Sequence, residues 1–135
     1  MTKEFLLKHG VKPSVQRIAV MEYLMEHNTH PTVETIYEEL VKKIPTLSKT
    51  TIYSTLKLLT EQDAARQLTI DERKVCFDAN TSIHAHFLCK HCGKIYDVKL
   101  LKLHPEDDVE IPKGFSVEQS EIYLRGCCKE CLEKK

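Results

Sequence analysis

Hydrophobic residues in the first half of the chain recur at helical spacing and predict four helices. The first covers Glu4 to Lys8 and ends at His9 and Gly10. The second follows Pro13 and Ser14, carries Val15, Ile18, Val20, Met21, Leu24 and Met25, and ends at Asn28 and Thr29. The third has Thr32 as its cap, buries Val33, Ile36, Tyr37, Leu40, Val41 and Ile44, and stops at Pro45. The fourth begins after Ser48, in the run KTTIYSTLKLLTEQ.

The third and fourth helices lie close together in the sequence and predict a helix-turn-helix. In the fourth helix, Ile52, Leu56 and Leu59 fall on the inner face, whereas Lys49, Thr50, Tyr53 and Lys57 fall on the outer face. Two β-like segments follow, at 67–70 and 74–77, around the polar turn Asp71, Glu72 and Arg73. The pattern therefore predicts a winged helix, and the alternative is a generic three-helix core with a hairpin.

After Asn80 the pattern changes from helices to strands, predicted at 83–89, 94–98 and 115–124. A short helix is possible between the last two, within the limits set by Pro105 and Pro112. We therefore expect an α+β protein with two domains, residues 1–80 and residues 81–135.

Composition limits the class of protein, but it does not identify a binding partner. The 135 residues are 41% hydrophobic and 30% charged, with a net charge of zero, so any nucleic-acid binding must come from local basic patches. No apolar run is long enough to span a membrane, and the first ten residues do not resemble a secretory signal. We expect a cytoplasmic protein that does not bind membranes.

The six cysteines include two CxxC motifs, a pairing typical of a structural Zn²⁺ site. The expected ligands are Cys89, Cys92, Cys128 and Cys131. The alternative is a pair of redox motifs or buried thiols. Of the remaining two, Cys76 is expected in the core and Cys127 is expected to face away from the zinc.

The stretch HAHFLCKHCGKIYDV, residues 84–98, offers more ligands than one tetrahedral ion can take. On a strand, His84 and His86 share one face, whereas Cys89 has the opposite parity. The alternation therefore predicts two separate metal sites.

Four motifs together resemble the ferric uptake regulator family across essentially the whole chain. They are HPT at 30–32, SKTTIYSTLKLL at 48–59, HAHFLCKHCGKIYD at 84–97 and CKEC at 128–131. The resemblance implies a homodimeric, metal-dependent repressor of double-stranded operator DNA, with an N-terminal winged-helix DNA-binding domain and a C-terminal α/β dimerisation domain. It also implies a structural zinc on the four cysteines.

The same resemblance implies a regulatory metal site, with ligands His30, Asp78, His84, His86 and Asp97. Nitrogen and oxygen ligands without a thiolate suit Fe²⁺ or Mn²⁺. Because the ligands come from both domains, one ion would fix the angle between the winged helices of a dimer. Taken singly, His30, Asp78 and Asp97 could instead be ordinary loop, turn and strand-end residues.

Asp97 resembles the peroxide-sensing branch, because iron-sensing relatives usually carry Glu there. That resemblance implies that Fe²⁺ reduces hydrogen peroxide and that oxygen is added to His30 or His84. An oxidised imidazole loses its ligating lone pair, so the metal would leave. The alternative within the family is an iron- or zinc-responsive repressor without a redox role.

We expect the DNA contacts on the fourth helix, the recognition helix of the winged helix, at Lys49, Thr51, Tyr53 and Lys57. Arg17 is expected to contact the DNA backbone. The alternative for the two lysines is a solvated helix face. A zinc deaminase would need HxE and PCxxC, but the chain has HAH and LCKHC. We therefore expect no enzyme and no small organic substrate, with a metallohydrolase as the remote alternative.

Overall fold

The computed structural model of the chain describes residues 1–79, 85–101 and 105–134. It divides into two compact units, Met1–Thr81 and Ser82–Lys135. The elements of the first unit are α1 (Thr2–Lys8), α2 (Val15–Glu26), α3 (Val33–Leu40), α4 (Lys49–Glu61), β1 (Arg66–Leu68) and β2 (Cys76–Asp78). Those of the second are β3 (Ala85–Cys89), β4 (Ile95–Val98), a 3₁₀ turn (Pro105–Asp108), β5 (Tyr123–Gly126) and α5 (Lys129–Glu133).

Three of the four helices of the first unit begin where the capping residues predict, whereas α1 begins at Thr2 rather than at Glu4. The side chains of Ser14, Thr32 and Ser48 accept hydrogen bonds from the backbone N–H three residues on, at 3.2, 3.2 and 3.1 Å. Each bond satisfies a backbone donor that the first helical turn leaves without an intrahelical acceptor. The predicted starts of α2, α3 and α4 are confirmed.

A single apolar core holds the four helices together. Ile52, Leu56 and Leu59 of α4 are fully buried, as their spacing predicted, and they pack with Leu6, Met21, Leu24 and Ile36. On α2 fewer residues are buried than the apolar pattern predicted, since Val15 and Met25 are exposed.

The predicted hairpin forms the wing of a winged helix. Strands β1 and β2 pair antiparallel, with Leu68 opposite Cys76 and Arg66 opposite Asp78. Cys76 is buried, as expected, and burial raises the pKa of its thiol. Phe77 closes the apolar core from the strand side.

The second unit contains a mixed three-stranded sheet in the order β4-β3-β5. Strand β3 pairs antiparallel with β4 and parallel with β5, so it is the central strand. The fold is therefore α+β, as predicted. None of the helices in the described ranges has the length and apolar character needed to cross a membrane.

Two predicted elements have other bounds by several residues, and one helix was not predicted. The strand predicted at 115–124 is confined to Tyr123–Gly126, because only these residues have a partner in β3; Phe115 and Val117 are exposed. Helix α3 ends at Leu40 rather than near Ile44; Val41 still has helical dihedral angles, and Pro45 restricts only Ile44 directly before it. Helix α5 was not predicted, because five residues give too short a periodic pattern.

Candidate metal centres and nucleic-acid interface

Four cysteines of the second unit converge on one point. Cys89 ends β3 and Cys92 lies in the turn after it, whereas Cys128 directly precedes α5 and Cys131 lies in the middle of that helix. The sulfur of Cys89 is 3.7 Å from that of Cys131, and the sulfur of Cys92 is 3.8 Å from that of Cys128. Each of these close pairs joins the two CxxC motifs, and all four sulfurs lie within 4.8 Å of one another.

These distances fit a tetrahedral zinc and exclude a disulfide. Zn–S bonds of about 2.3 Å place the sulfurs of a tetrahedral site about 3.8 Å apart. A disulfide would bring two sulfurs to about 2.05 Å. Cys127 lies outside the cluster, as predicted.

Backbone donors prepare the cluster for a cation. The N–H groups of Cys92 and Cys128 point at the sulfur of Cys89, at 3.5 and 3.4 Å, and these bonds lower the pKa of the Cys89 thiol to about 5. The backbone N–H of Cys131 lowers the pKa of Cys128 in the same way. Two ligands are therefore biased toward the thiolate form that binds metal.

Tyr96 is a contributor to this cluster that the sequence analysis missed. Its hydroxyl donates a hydrogen bond to the thiol of Cys128, and this contact raises the pKa of Tyr96 to about 12 and helps lower that of Cys128. Its position directly before Asp97 in β4 was the available signal, since neighbouring strand residues face opposite sides.

In the first unit, His30 and Asp78 form a buried pair. A hydrogen bond of 2.9 Å from the Phe77 N–H to the Pro31 carbonyl ties the loop before α3 to the end of β2. It brings Nε2 of His30 to 3.7 Å from Oδ2 of Asp78, with both side chains at most 4% exposed. His30 has a positive φ of 56°, which is uncommon for a residue other than glycine.

In the second unit, His86 and Asp97 form a matching pair. They are directly opposite each other in the antiparallel β3–β4 ladder, so their side chains project from the same face. Nε2 of His86 lies 3.4 Å from Oδ1 of Asp97; the histidine is 2% exposed and the aspartate 40%. Cys89 belongs to the sulfur cluster instead, so the imidazole of His86 and the thiol of Cys89 lie in different clusters of the described residues.

Each histidine–aspartate pair offers two ligands for a metal ion. Two ligands of one ion, with bonds of about 2.1 Å, lie roughly 3 to 4 Å apart, and both pairs fall in this range. Imidazole and carboxylate suit Fe²⁺ and Mn²⁺. His84, the fifth predicted ligand, lies outside the described residues.

The predicted DNA-contacting side chains lie on the exposed surface of the first unit. Lys49, Thr51, Tyr53 and Lys57 are exposed on α4, and Tyr53 is 61% exposed despite its aromatic ring. The ammonium of Lys49 lies 5.5 Å from the centre of the Tyr37 ring, a cation–π contact that restricts the lysine. Their predicted role in binding stays a prediction.

Arg17 lies beside the same helix. It lines a cavity of about 430 Å³ together with Thr51 and Ser54, and its guanidinium donates to the Lys12 carbonyl at 2.8 Å. The fold thus places all five predicted contacts on α4 or next to it.

Comparison with known proteins supports the resemblance noted in the sequence. The sequence pattern of the ferric uptake regulator family matches residues 8–125 of this chain. The peroxide-responsive repressor PerR of Staphylococcus epidermidis is 35% identical over 130 residues, which cover 96% of this chain and 87% of that protein. The peroxide operon regulator of Bacillus subtilis is 35% identical over 133 residues, covering 98% and 92%. Among solved structures, the Campylobacter jejuni peroxide stress regulator is 28% identical with a TM-score of 0.70, covering 96% of this chain and 95% of that one.

Proposed function

Because this chain belongs to the ferric uptake regulator family, we propose that it is a metal-dependent, DNA-binding transcriptional repressor that senses hydrogen peroxide. The observation that carries the proposal is the presence of two kinds of metal-binding group in one chain. Four sulfurs match a tetrahedral Zn²⁺ site, and two histidine–aspartate pairs offer only nitrogen and oxygen. We infer that peroxide is the stimulus because these relatives are peroxide-responsive regulators.

The sulfur cluster would hold a structural zinc. Four thiolates leave no position open for a substrate or an oxidant, as is usual for structural zinc. Cys89, Cys92, Cys128 and Cys131 would therefore join the end of β3 to α5 and take no part in sensing.

The histidine–aspartate pairs would hold the regulatory ion, Fe²⁺ or Mn²⁺. We propose that His30, Asp78, His86 and Asp97 act as ligands of one ion, with His84 as the fifth. Binding would then couple the two units, so that the winged helices of a homodimer match the spacing of two operator half-sites. Iron in this site would supply the electrons that reduce peroxide.

Loss of the metal would follow from damage to its ligands. Addition of oxygen to the ring of His30 or His84 would remove a ligating lone pair. The remaining nitrogen and oxygen ligands would bind the ion more weakly, and the operator would be released. The two imidazoles are thus proposed as the oxidation-sensitive groups, and Arg17, Lys49, Thr51, Tyr53 and Lys57 as the DNA contacts.

The test compares protein loaded with Fe²⁺ with protein loaded with Mn²⁺ after exposure to low micromolar peroxide. Peptide mass spectrometry should find a mass gain of one oxygen at His30 or His84 in the iron-loaded sample alone, together with loss of operator binding. His91 is exposed and belongs to neither proposed site, so it serves as the internal control.

A specific outcome would favour the second candidate, an iron- or zinc-responsive repressor without a redox role. In that case DNA binding would still require the metal, but no histidine would be oxidised selectively. Absence of any metal-dependent DNA binding would contradict both candidates.

A further inference from the structure

The three-stranded sheet of the second unit carries sulfur on one face and imidazole on the other. Neighbouring residues of a strand project to opposite sides, so Phe87 and Cys89 share one face of β3 and His86 lies on the other. In β4, Tyr96 is directly opposite Phe87, and Asp97 is directly opposite His86. Two consecutive residues of β4 therefore face two different clusters of metal-binding groups.

Tyr96 reaches the sulfur cluster across the central strand. The centre of its ring is 6.4 Å from that of Phe87, and a Cβ atom at Gly126 of β5 would lie 3.2 Å from Cζ of Phe87. The Phe87 ring therefore covers the end of β5, two residues before Cys128. The Tyr96 hydroxyl donates a hydrogen bond to the sulfur of Cys128. This bond ties β4 to the chain that follows β5.

Strand β4 is held less firmly than its neighbours. It has four residues, lies at the edge of the sheet and is paired with β3 alone among the described strands. None of its side chains, from Ile95 to Val98, is fully buried. Segments with few buried contacts are the ones that open most easily in a folded protein. A side-chain bond from β4 to the sulfur cluster therefore adds a constraint where the strand needs one.

The position of β4 sets the geometry of the histidine–aspartate pair. His86 belongs to the central strand and is 2% exposed, whereas Asp97 belongs to the edge strand and is 40% exposed. Their facing atoms are 3.4 Å apart, a separation that two ligands of one ion require. Of the two groups, the carboxylate is the one whose position depends on how firmly β4 is held.

We propose that Tyr96 is a positioning residue that links the two clusters, because its hydrogen bond to Cys128 fixes β4 and thereby holds Asp97 beside His86. This inference rests on the proposed function, in which the sulfurs hold zinc and Asp97 is a ligand of the regulatory ion. Zinc fixes the sulfur that accepts the bond. Affinity for the regulatory ion is then coupled to the sulfur cluster, and the coupling is reciprocal.

The test compares Tyr96→Phe with the wild-type protein, because this change removes the hydroxyl and keeps the ring. Full-length, zinc-loaded protein is titrated with Mn²⁺, and the electron paramagnetic resonance signal of free Mn²⁺ measures binding. Losing a hydrogen bond directly behind a metal ligand costs roughly 10- to 100-fold in affinity. Since Tyr96 acts on Asp97 through the strand, we expect Mn²⁺ to bind about fivefold more weakly. Tyr37→Phe removes a hydroxyl from the first unit and should leave this affinity unchanged.

A double substitution separates positioning from general damage to the sheet. Asp97→Ala alone removes the proposed ligand and should weaken Mn²⁺ binding more than Tyr96→Phe does. In protein that already carries Asp97→Ala, Tyr96→Phe should cause no further loss, because the tyrosine acts through that carboxylate. Melting curves check that every variant is folded.

Zinc affinity measures the other end of the link. Competition with a chromophoric chelator should show zinc bound about tenfold more weakly by Tyr96→Phe, since its hydroxyl contacts a sulfur directly. Tyr123→Phe is the matched control in the same sheet. The Tyr123 hydroxyl donates to Glu121 at 3.1 Å, and Tyr123 is paired with His86 rather than with Phe87, so its loss should not change zinc affinity.

The outcomes distinguish this inference from the function on which it rests. Unchanged zinc affinity, or unchanged Mn²⁺ affinity in zinc-loaded Tyr96→Phe, would overturn the link while leaving the proposed ligands in place. An equal loss of Mn²⁺ affinity with and without Asp97 would overturn it as well. If Asp97→Ala binds Mn²⁺ as tightly as the wild-type protein does, the proposed ligand set is wrong and the link falls with it.

Discussion

The two units of this chain are stabilised by different means. The first has an extended apolar core that includes Leu6, Met21, Leu24, Ile52 and Leu56, all fully buried. In the described part of the second, the buried apolar side chains are Ala85, Leu88, Cys89 and Cys128, and two of these are sulfur ligands. From this comparison we predict that hydrophobic burial suffices to fold the first unit, and that the second unit depends on a metal held by its four sulfurs.

Substituting a proposed sulfur ligand should give the largest effect, and it should unfold the second unit while leaving the first unit folded. Cys92→Ser leaves three thiolates, and structural zinc contributes on the order of 10 kcal/mol to folding in small zinc domains. We expect loss of the zinc and of the β3–β5 sheet, with α1 to α4 still folded. Native mass spectrometry measures the zinc content, and backbone amide NMR spectra show which of the two units is still folded.

Cys127→Ser is the matched control for that substitution, since Cys127 lies beside a ligand but outside the cluster. It should keep its zinc. A Cys92→Ser protein with unchanged zinc content and an intact sheet would show that the second unit does not need the cluster.

Truncating the apolar core should affect the first unit instead. Leu56→Ala removes a fully buried side chain and should cost about 3 kcal/mol of unfolding free energy, through lost transfer energy and a cavity. Chemical denaturation followed by helical circular dichroism gives the value, and the zinc content should not change. Leu7 is 56% exposed, so Leu7→Ala should cost less than about 0.5 kcal/mol. Equal losses for the two variants would contradict the described core.

Removing a helix cap should have a smaller effect on the same unit. Ser48→Ala deletes the bond to the Thr51 N–H and should cost about 1 kcal/mol. Ser54→Ala is the control in the same helix, because its hydroxyl bonds only to the Thr50 carbonyl one turn earlier. Denaturant midpoints compare the two. A larger loss for Ser54→Ala would place the start of α4 elsewhere.

The smallest effect should depend on pH and arise in the wing. The backbone N–H of Arg73 holds the pKa of Asp71 below its ordinary value of 3.8. A lowered pKa in the folded state stabilises the protein above the unfolded-state value, and this contribution is lost as the pH falls through the folded-state pKa. Asp71→Asn should therefore cost about 0.5 to 1 kcal/mol at pH 7, and the difference from wild type should shrink below about pH 4.

Unfolding curves at pH 7, 5 and 3 measure that difference. Glu72→Gln neutralises the neighbouring exposed carboxylate and should show little change at any pH. A constant gap between Asp71→Asn and wild type across this range would show that the carboxylate charge contributes nothing to the turn.

Local signals account for what could be predicted. Ser14, Thr32 and Ser48 mark helix starts because a side-chain oxygen caps the helix that follows it directly in sequence. The two CxxC motifs indicated a zinc site because each supplies two sulfurs on a short turn. The strand at 115–124 was wrong because strand ends depend on a partner, and apolar residues such as Phe115 have none in the described sheet.

The sequence by itself determined the four N-terminal helices, the wing and the sorting of ligands into sulfur and nitrogen–oxygen groups, because these depend on residue type and short-range spacing. Only the tertiary structure decided which groups meet. His30 reaches Asp78 through the Phe77–Pro31 hydrogen bond, His86 faces Asp97 through strand register, and Tyr96 reaches Cys128. Such contacts join residues far apart in sequence, and their geometry is set by packing and pairing rather than by local pattern.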